Sequence, residues 1–209
     1  MAPVLALVLT ALVALSPASA LWPLPTSLQT GSTGLLLAPN FNIKLSVGGA
    51  PADLQAAVKR TEGYLKTDKL GRLVVGRGAN DSSAIHGAKQ LSSLTVSLSS
   101  TNGTVRSISE EAMDDLEQRD EAYSLTVPED GSAATLTANS TLGLFRGLTT
   151  FGQLWYDFGG KTYTLEAPIQ IKDAPAYVRS HSLSVDLNFR LIFCGGHGVA
   201  LPWIHAGHR

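Results

Sequence analysis

Two adjacent carboxylates, Asp120 and Glu121, are the residues of this sequence whose types are best suited to acid–base chemistry. Paired carboxyl groups can divide the roles of proton donor and proton acceptor when they flank a scissile bond. This pair directly precedes an alternating segment that is typical of a strand, and charged side chains in such a position usually face solvent. We therefore expect both carboxylates to be exposed, and we predict no catalytic role for them.

Cysteine and histidine, the usual zinc ligands, are grouped near the C-terminus as Cys194, His197, His205 and His208. Their spacing matches neither a zinc finger nor a helical His-x-x-x-His pair, and glycines separate them. We predict a chance grouping, with no metal site and no cofactor. Cys194 has no second cysteine to pair with, so an intermolecular disulfide is one option. A translated intron or a shifted reading frame explains the whole segment equally well.

Three further side chains invite a functional interpretation. Arg146 falls on a predicted helix, where it forms either an interdomain ion pair or an ordinary solvated contact, and the sequence leaves both open. Trp22 and Trp155 have the shape of sugar-stacking platforms. The apolar periodicity around Trp155 favours packing instead, and we predict packing for both tryptophans.

Residues 1–20 are typical of a cleavable signal peptide. They contain no charged side chain, they are apolar over most of their length, and they end in small residues. The Ala-x-Ala pattern at residues 18–20 predicts cleavage after Ala20. We therefore expect a secreted protein with no membrane association after cleavage.

Three Asn-x-Ser/Thr sequons agree with export, because N-linked glycans are added in the secretory pathway. Their asparagines are Asn80, Asn102 and Asn139. The first two lie in turn-like polar stretches that would tolerate a glycan. Asn139 lies at a predicted strand-to-helix junction, where a local capping role is the alternative.

The composition indicates a packed globular protein. Hydrophobic residues make up 44% of the chain and charged residues 16%, so a disordered chain is disfavoured. The formal net charge of −1 gives no dense basic surface, which argues against nucleic acid and anionic membranes as partners.

The first half of the chain predicts strands that flank a helix. Apolar and polar side chains alternate over residues 41–47 and again over 94–98, as in half-buried strands. Between these strands, apolar residues recur at helical spacing from 52 to 66. Asp53 in the first turn and Lys66 in the last complement the helix dipole, so we predict a single-faced amphipathic helix.

The second half predicts a hairpin, a helix and a last strand. Residues 123–127 and 134–138 alternate on either side of a Pro-Glu-Asp-Gly turn, which predicts an antiparallel hairpin. Apolar residues at helical spacing predict a second helix over 140–158, ended by two glycines. Residues 163–171 alternate again, and Pro168 among them indicates an edge strand or a bend.

This order of elements predicts an α+β fold, in which helices pack on one face of a sheet. Residues 21–25 contain two prolines and cannot form regular structure, so we expect an arm that lies across a surface. Residues 178–209 show neither a helical nor a strand period. We predict an irregular C-terminal tail there.

Four segments carry a family resemblance. They are Leu-Trp-Pro-Leu-Pro at 21–25, Asp-Glu-Ala-Tyr-Ser-Leu at 120–125, Leu-Phe-Arg-Gly-Leu-Thr-Thr-Phe-Gly-Gln-Leu at 144–154 and Ile-x-Ile-x-Asp-Ala-Pro-Ala-Tyr at 169–177. Together they resemble the N-terminal domain of eukaryotic β-N-acetylhexosaminidases of glycoside hydrolase family 20, above all the secreted fungal members. The last segment resembles the one by which that family leaves its N-terminal domain and enters the catalytic barrel.

The resemblance implies a zincin-like α+β domain without metal, over residues 21–177, that supports a (β/α)8 barrel. In the family an adjacent Asp–Glu pair of the barrel hydrolyses N-acetylhexosaminides: the Glu protonates the leaving oxygen, and the Asp orients the substrate's own acetamido group as nucleophile. A barrel of this kind takes about 250 residues. Only 32 residues follow Tyr177, so we expect the barrel to be absent from this chain.

No catalytic or sugar-binding residue is carried over from the family. Asp120 and Glu121 lack the glycines that precede the catalytic dyad of the family. The first barrel strand of the family begins with Arg-Gly, whose Arg holds the sugar, but Arg179 is followed by Ser180. No gapless alignment places the residues after it, so Arg179 receives no such role.

Three functions remain open. The first is a non-catalytic N-terminal domain of a secreted β-N-acetylhexosaminidase-like protein, whose exposed apolar face would bind the barrel. The second is a fragment of an active enzyme that hydrolyses terminal N-acetylhexosamine residues of chitin oligomers or glycoproteins. The third is an independent secreted carbohydrate-binding protein.

Overall fold

The computed structural model describes residues 21–67, 77–100 and 104–174. The predicted signal peptide with its cleavage site at Ala20, the sequon at Asn102 and the predicted tail lie outside these ranges. So do the tail residues considered for chemistry, which are Arg179, Cys194, His197, His205 and His208.

The described residues build a six-stranded mixed sheet. Its strands are β1 (Ser27–Ser46), β2 (Lys89–Leu98), β3 (Tyr123–Val127), β4 (Ala134–Ala138), β5 (Tyr156–Phe158) and β6 (Lys161–Asp173). They lie in the order β1-β2-β4-β3-β6-β5, and β1 also pairs with β6. The pairings therefore close β1, β2, β4, β3 and β6 into a ring. The β1–β2 and β2–β4 pairs are parallel, and the other pairs are antiparallel.

Four helices accompany this sheet. They are α1 (Ala52–Thr67), α2 (Ser82–His86), α3 (Ile108–Ala112) and α4 (Thr141–Gln153), and a 3-10 turn, Ala79–Asp81, precedes α2. The fold is thus mixed α+β, in agreement with the sequence. The two long helices, α1 and α4, contact each other as well as the sheet.

Helix α1 confirms the amphipathic prediction for residues 52–66. Leu54, Ala57, Val58 and Leu65 are buried, at helical spacing. Asp53 lies in the first turn and Lys66 in the last, where their charges complement the helix dipole. The hairpin prediction is also confirmed, because β3 and β4 pair in antiparallel register.

Helix α4 is shorter than the predicted 140–158. It ends at Gln153, and residues 156–158 form β5, which pairs with β6. Gly159 and Gly160 both have positive φ, at 61° and 78°, which suits the tight turn of a two-residue hairpin. Apolar spacing continues past the helix because Trp155 still packs edge-on against Phe151, 5.5 Å between ring centroids.

Strand β6 shows which of the two interpretations of Pro168 is right. The edge interpretation is wrong, because residues 169–172 pair with β1 on one side and with β3 on the other. The bend interpretation is supported by two register shifts in the pairing with β1, between Thr30 and Thr33 and between Thr33 and Leu35. β1 itself begins well before the predicted 41–47, and its early residues lack the apolar alternation that identifies a strand.

Two hydrophobic clusters lie on opposite faces of β1. Leu35 belongs to the main cluster, which also contains the buried residues of α1 and α4. Leu36 packs against the smaller cluster, formed by Ile85 of α2 with Tyr156 and Tyr163. Successive side chains of a strand point to opposite faces, so the long helices cover one face of β1, while α2 packs against the other. The prediction that helices pack on one face of the sheet is therefore wrong for α2.

Replacement of Gly31 by alanine tests the contact between β1 and β6. A Cβ atom at this position would overlap the carbonyl oxygen of Ala167 and lie 2.5 Å from Cδ of Pro168. Because a strand would have to shift, we expect G31A to lower the free energy of unfolding by roughly 1–3 kcal/mol in a urea titration.

The matched control is Gly63→Ala in helix α1, where a Cβ atom has nothing within 4 Å. Alanine is the better helix former, so this variant should gain about 0.5–1 kcal/mol. Equal stability of G31A and the wild type would contradict the close contact.

Candidate functional site

The Asp120–Glu121 pair lies at the start of β3, and its two side chains differ in environment. Glu121 is only 4% exposed, so the expectation that both carboxylates face solvent is wrong for this residue. Its Oε2 atom accepts a hydrogen bond from Nε of Arg146 at 2.7 Å, and Oε1 accepts one from Nη2 at 3.3 Å. Asp120 is exposed, as expected. A buried charge requires an oppositely charged partner. Glu121 has such a partner in Arg146, whereas the exposed Asp120 needs none.

Arg146 forms an ion pair with Glu121 within the same sheet-and-helix unit, a contact that the interpretations from sequence did not include. Its side chain is 43% exposed, and the fork geometry of the guanidinium matches the carboxylate. The ion pair joins the middle of α4 to the start of β3.

Close packing places α4 directly on the β3–β4 hairpin. A Cβ atom at Gly147 would overlap Leu136 and approach Cδ2 of Tyr123 to 3.1 Å. At Gly143 it would lie 2.5 Å from the carbonyl oxygen of Ala122. Glycine at these two positions lets the helix backbone approach the hairpin.

The hydroxyl of Tyr123 shares a hydrogen bond with Oγ1 of Thr150 at 2.7 Å, one turn further along α4. Burial raises the pKa of Tyr123 to about 12, although this hydrogen bond opposes the shift. On the other face of β1, burial raises the pKa of Tyr163 to about 12, assisted by the hydrogen bond that its hydroxyl donates to Asp81.

The N-terminus of α4 is held by side chains of two preceding segments. Ser140 is the N-cap and accepts a hydrogen bond from the backbone N–H of Gly143 at 2.8 Å. Glu111 of α3 accepts from the backbone N–H of Leu142 at 2.7 Å and from Oγ1 of Thr141 at 2.8 Å. Its negative charge is favourable at the positive end of the helix.

The C-terminus of α4 holds the N-terminal arm. The side-chain amide of Gln153 accepts from the backbone N–H of Trp22 at 2.8 Å and donates to its carbonyl oxygen at 2.9 Å. Leu21 and Pro25 are buried, whereas Trp22 is 83% exposed and Leu24 is also exposed. The expectation of an arm lying across a surface is met, and the arm presents two large apolar side chains to solvent.

Asp173, at the end of β6, lies next to the root of this arm. Its Oδ1 atom accepts hydrogen bonds from the backbone N–H of Thr26 at 2.9 Å and from Oγ1 of Thr26 at 2.8 Å. Sequence reasoning missed both this contact and that of Gln153. Their partners are 147 and 131 residues apart, and no local pattern reports such a pairing.

An open groove of about 540 Å³ runs between α1 and α4. Its lining includes Arg60, Tyr64, Phe145, Gln153 and Trp155. Tyr64 is 59% exposed.

The predicted packing role is confirmed for Trp155, which is buried. It is wrong for the side chain of Trp22, which is exposed in the described part of the chain. Nε1 of Trp155 is the one buried side-chain polar atom among the described residues that lacks a hydrogen-bond partner.

Two sequons lie within the described ranges, and both asparagines are exposed. Asn80 is part of the 3-10 turn, and Asn139 lies between β4 and α4. The N-cap of α4 is Ser140 rather than Asn139. Within the described ranges, no three His, Cys, Asp or Glu side chains are grouped closely enough to hold a metal ion. No helix there has the length and apolar character needed to cross a membrane.

Comparison with known proteins places this geometry in a family context. A family model described as beta-acetyl hexosaminidase like matches residues 21–154. The chain is 34% identical to Beta-hexosaminidase subunit beta of Felis catus, over 83% of this chain and 32% of that protein. It is 26% identical to Beta-hexosaminidase 1 of the fungus Coccidioides posadasii, over 89% of this chain and 31% of that protein.

A solved structure, that of Flavobacterium johnsoniae chitobiase, shares the fold. It is 22% identical, with a TM-score of 0.51, and the match covers 76% of this chain and 21% of that chain. The chain thus spans about a third of the length of the two curated relatives.

Unequal burial of the Glu121–Arg146 pair gives a testable asymmetry in stability. Arg146→Met removes the guanidinium from a carboxylate that stays buried, so we expect a loss on the order of 3 kcal/mol. Glu121→Gln leaves a neutral amide in the buried position and an arginine that reaches solvent, so its loss should be smaller, about 1 kcal/mol. Chemical denaturation of both single variants and the double variant measures the coupling. Equal losses would contradict the asymmetry.

The raised pKa values of Tyr123 and Tyr163 predict that the folded domain loses stability at alkaline pH. An unfolded tyrosine ionises near pH 10, whereas these two stay neutral in the folded domain until about pH 12. Their stabilisation is therefore complete below pH 10 and is lost as the pH rises towards 12. The loss should be on the order of 2 kcal/mol per tyrosine.

Urea titrations at pH 9 and pH 11.5, with tyrosinate absorbance recorded alongside, measure this loss. Tyr123→Phe should reduce the difference between the two pH values. The exposed Tyr64, replaced in the same way, serves as the control and should leave the difference unchanged.

Proposed function

Because the chain belongs to the beta-acetyl hexosaminidase-like family of glycoside hydrolase family 20, we propose that its described part is a non-catalytic N-terminal domain that supports a catalytic barrel. The parent protein would be a secreted β-N-acetylhexosaminidase. In this proposal the sheet and its two long helices correspond to the zincin-like domain implied by the resemblance.

The observation that carries the proposal is that residues of the family-like segments bind one another inside the domain. Glu121 and Arg146 form an ion pair with each other, and Gln153 binds the backbone of Trp22. In the only Asp–Glu dipeptide of the sequence, Glu121 is thus buried in an ion pair, whereas Asp120 is exposed. General acid–base catalysis needs both groups within reach of one substrate. These residues therefore support a fold rather than a reaction.

Two surfaces would suit a supporting domain. One is the groove between α1 and α4, in which the exposed ring of Tyr64 and the side chain of Phe145 offer apolar area. The other is the arm, which presents Trp22 and Leu24. Large apolar side chains clustered at a surface are typical of contact sites for another folded unit.

The position of Asp173 adds a topological reason. Polypeptide that follows β6 in a longer protein would start beside the arm, since Asp173 is hydrogen bonded to Thr26. The curated relatives are about three times as long as the segment matched here. A domain that follows β6 would therefore begin within reach of Trp22 and Leu24.

The direct test of the non-catalytic role is an activity assay. We expect the purified 209-residue protein to leave a chromogenic N-acetylglucosaminide intact at every pH between 4 and 8, because the described carboxylate pair cannot serve both acid–base roles. The C. posadasii relative, assayed in parallel, is the positive control. Hydrolysis by the purified chain, above that of a mock purification, would refute the proposal.

The supporting role is tested by coexpression with the part of the C. posadasii relative that follows its matched segment. We expect this chain to raise the yield of soluble partner. A variant with Trp22→Ser and Leu24→Ser should lose that effect, because the apolar contact is removed. The control carries Met113→Ser and Leu116→Ser, which changes two exposed apolar residues elsewhere. Equal loss in both variants would argue against a specific contact.

A second candidate is that the sequence is a fragment of an active β-N-acetylhexosaminidase. The coverage of only 31–32% of the curated relatives favours it. Translation of the genomic DNA beyond the codon for Tyr177 in all frames tests it. A continuing barrel with a glycine-preceded Asp–Glu pair would establish the fragment.

The third candidate, a secreted carbohydrate-binding protein, draws on the groove. Tyr64 there offers an exposed aromatic face beside the polar side chains of Arg60 and Gln153. Aromatic faces flanked by hydrogen-bonding groups suit a sugar ring. Retention on chitin beads that is lost in Tyr64→Ala would support this candidate, and no retention would dispose of it.

A further inference from the structure

We infer that Asn80 carries an N-linked glycan in the mature protein, and that Asn139 keeps an unmodified carboxamide. The inference rests on the proposed export, but not on the proposed supporting role. It separates two sequons that the sequence alone treats alike. In the modification, Nδ2 of the asparagine forms a bond to C1 of the first sugar of a lipid-pyrophosphate-linked oligosaccharide. The bond from C1 to the pyrophosphate oxygen breaks, and Nδ2 gives up one proton.

Asn80 occupies the 3-10 turn Ala79–Asp81 and points to solvent. The residue after it, Asp81, does the anchoring: its Oδ2 atom accepts from the backbone N–H of Gly78 at 3.0 Å and from the hydroxyl of Tyr163 at 2.7 Å. Ser82, the third residue of the sequon, is also exposed. The side chain of Asp81 is therefore held by contacts within the domain, while Asn80 and Ser82, the two residues that define the sequon, stay accessible.

The Asn139 sequon differs, because the fold uses all three of its residues. Nδ2 of Asn139 donates to Oδ2 of Asp120 at 3.1 Å. Ser140 caps α4. Thr141 is 1% exposed, and its hydroxyl contacts Glu111 and the carbonyl oxygen of Arg106. The hydroxyl that completes the sequon is thus enclosed.

The sequence separation of these contacts indicates when, during synthesis, folding makes each sequon inaccessible to glycosylation. The partners of the Asn139 sequon precede it by 19 to 35 residues, so they are already synthesised when it appears. The turn around Asn80 is anchored by Tyr163 and by the Arg77–Glu166 ion pair, which lie 82 and 89 residues along the chain from their partners. Contacts of short separation form before those of long separation. Asn80 therefore stays open during synthesis for longer than Asn139.

A glycan on Asn80 would lie on the smaller-cluster side of β1. The segment that follows the turn packs through Ile85 on the smaller cluster, on the face of β1 opposite the main cluster. The groove is lined mostly by residues of α1 and α4, and Tyr156 of the smaller cluster also borders it. A bulky, hydrated glycan is tolerated only on a surface that remains in solvent, and the exposed side chain of Asn80 meets that requirement.

The test is secretion of the full chain from a fungal host, with N-terminal sequencing to verify export and cleavage before Leu21. All variants carry Asn102→Gln, so that only two sequons remain. We expect N80Q to lose one glycan-sized gel shift and N139Q to lose none. Ser82→Ala, which keeps Asn80 but removes the sequon hydroxyl, should reproduce the loss seen in N80Q.

Occupancy in the protein without changes at Asn80 and Asn139 is read by enzymatic deglycosylation in heavy-oxygen water and peptide mass spectrometry. This reading does not depend on whether a variant folds. The heavy-oxygen label should appear at residue 80 in most molecules and at residue 139 in few. Exported protein without a glycan at Asn80, or equal occupancy at the two positions, would overturn the inference, as would retention of the chain in the cytosol.

Discussion

The seating of helix α4 on the β3–β4 hairpin is the constraint on which the rest of the domain depends. Gly143 and Gly147 let the helix backbone reach the strands, and any side chain there would push it away. Glu121 and Arg146 then fix the helix along its axis, because a buried carboxylate is stable only beside its guanidinium. With the helix so placed, its last residue, Gln153, is in position to bind the arm.

Closure of the sheet follows from the same arrangement. β6 pairs with both β1 and β3, so the last strand joins the first to the hairpin that carries α4. At its end, Asp173 holds Thr26, which brings the start and the end of the described domain together. A unit whose two ends emerge side by side can precede another folded unit without disturbing its own core.

Burial separates the residues that stabilise the domain from those that are available for contacts. Asp120 and Glu121 have the composition of an acid–base site, yet Glu121 is buried in an ion pair inside the domain. Exposed aromatic side chains lie at the arm and in the groove, where Trp22 and Tyr64 present apolar area. Apolar area left in water is stabilised by contact with another folded unit, whereas hydrated turns such as Ala79–Asp81 are stable in solvent.

Local spacing by itself determined helix α1, the β3–β4 hairpin and the existence of α4, because helices and half-buried strands impose their period on neighbouring residues. The resemblance to the hexosaminidase family came instead from four sequence motifs, at 21–25, 120–125, 144–154 and 169–177. Only the tertiary structure decided where α4 ends, that β6 lies inside the sheet, and that Glu121 is buried against Arg146. These outcomes depend on partners distant in sequence, and the spacing of neighbours carries no record of them. The desolvation of a charge is likewise set by the atoms that surround it in space, so a carboxylate pair cannot be assigned to solvent, ion pair or catalysis from its neighbours in the chain.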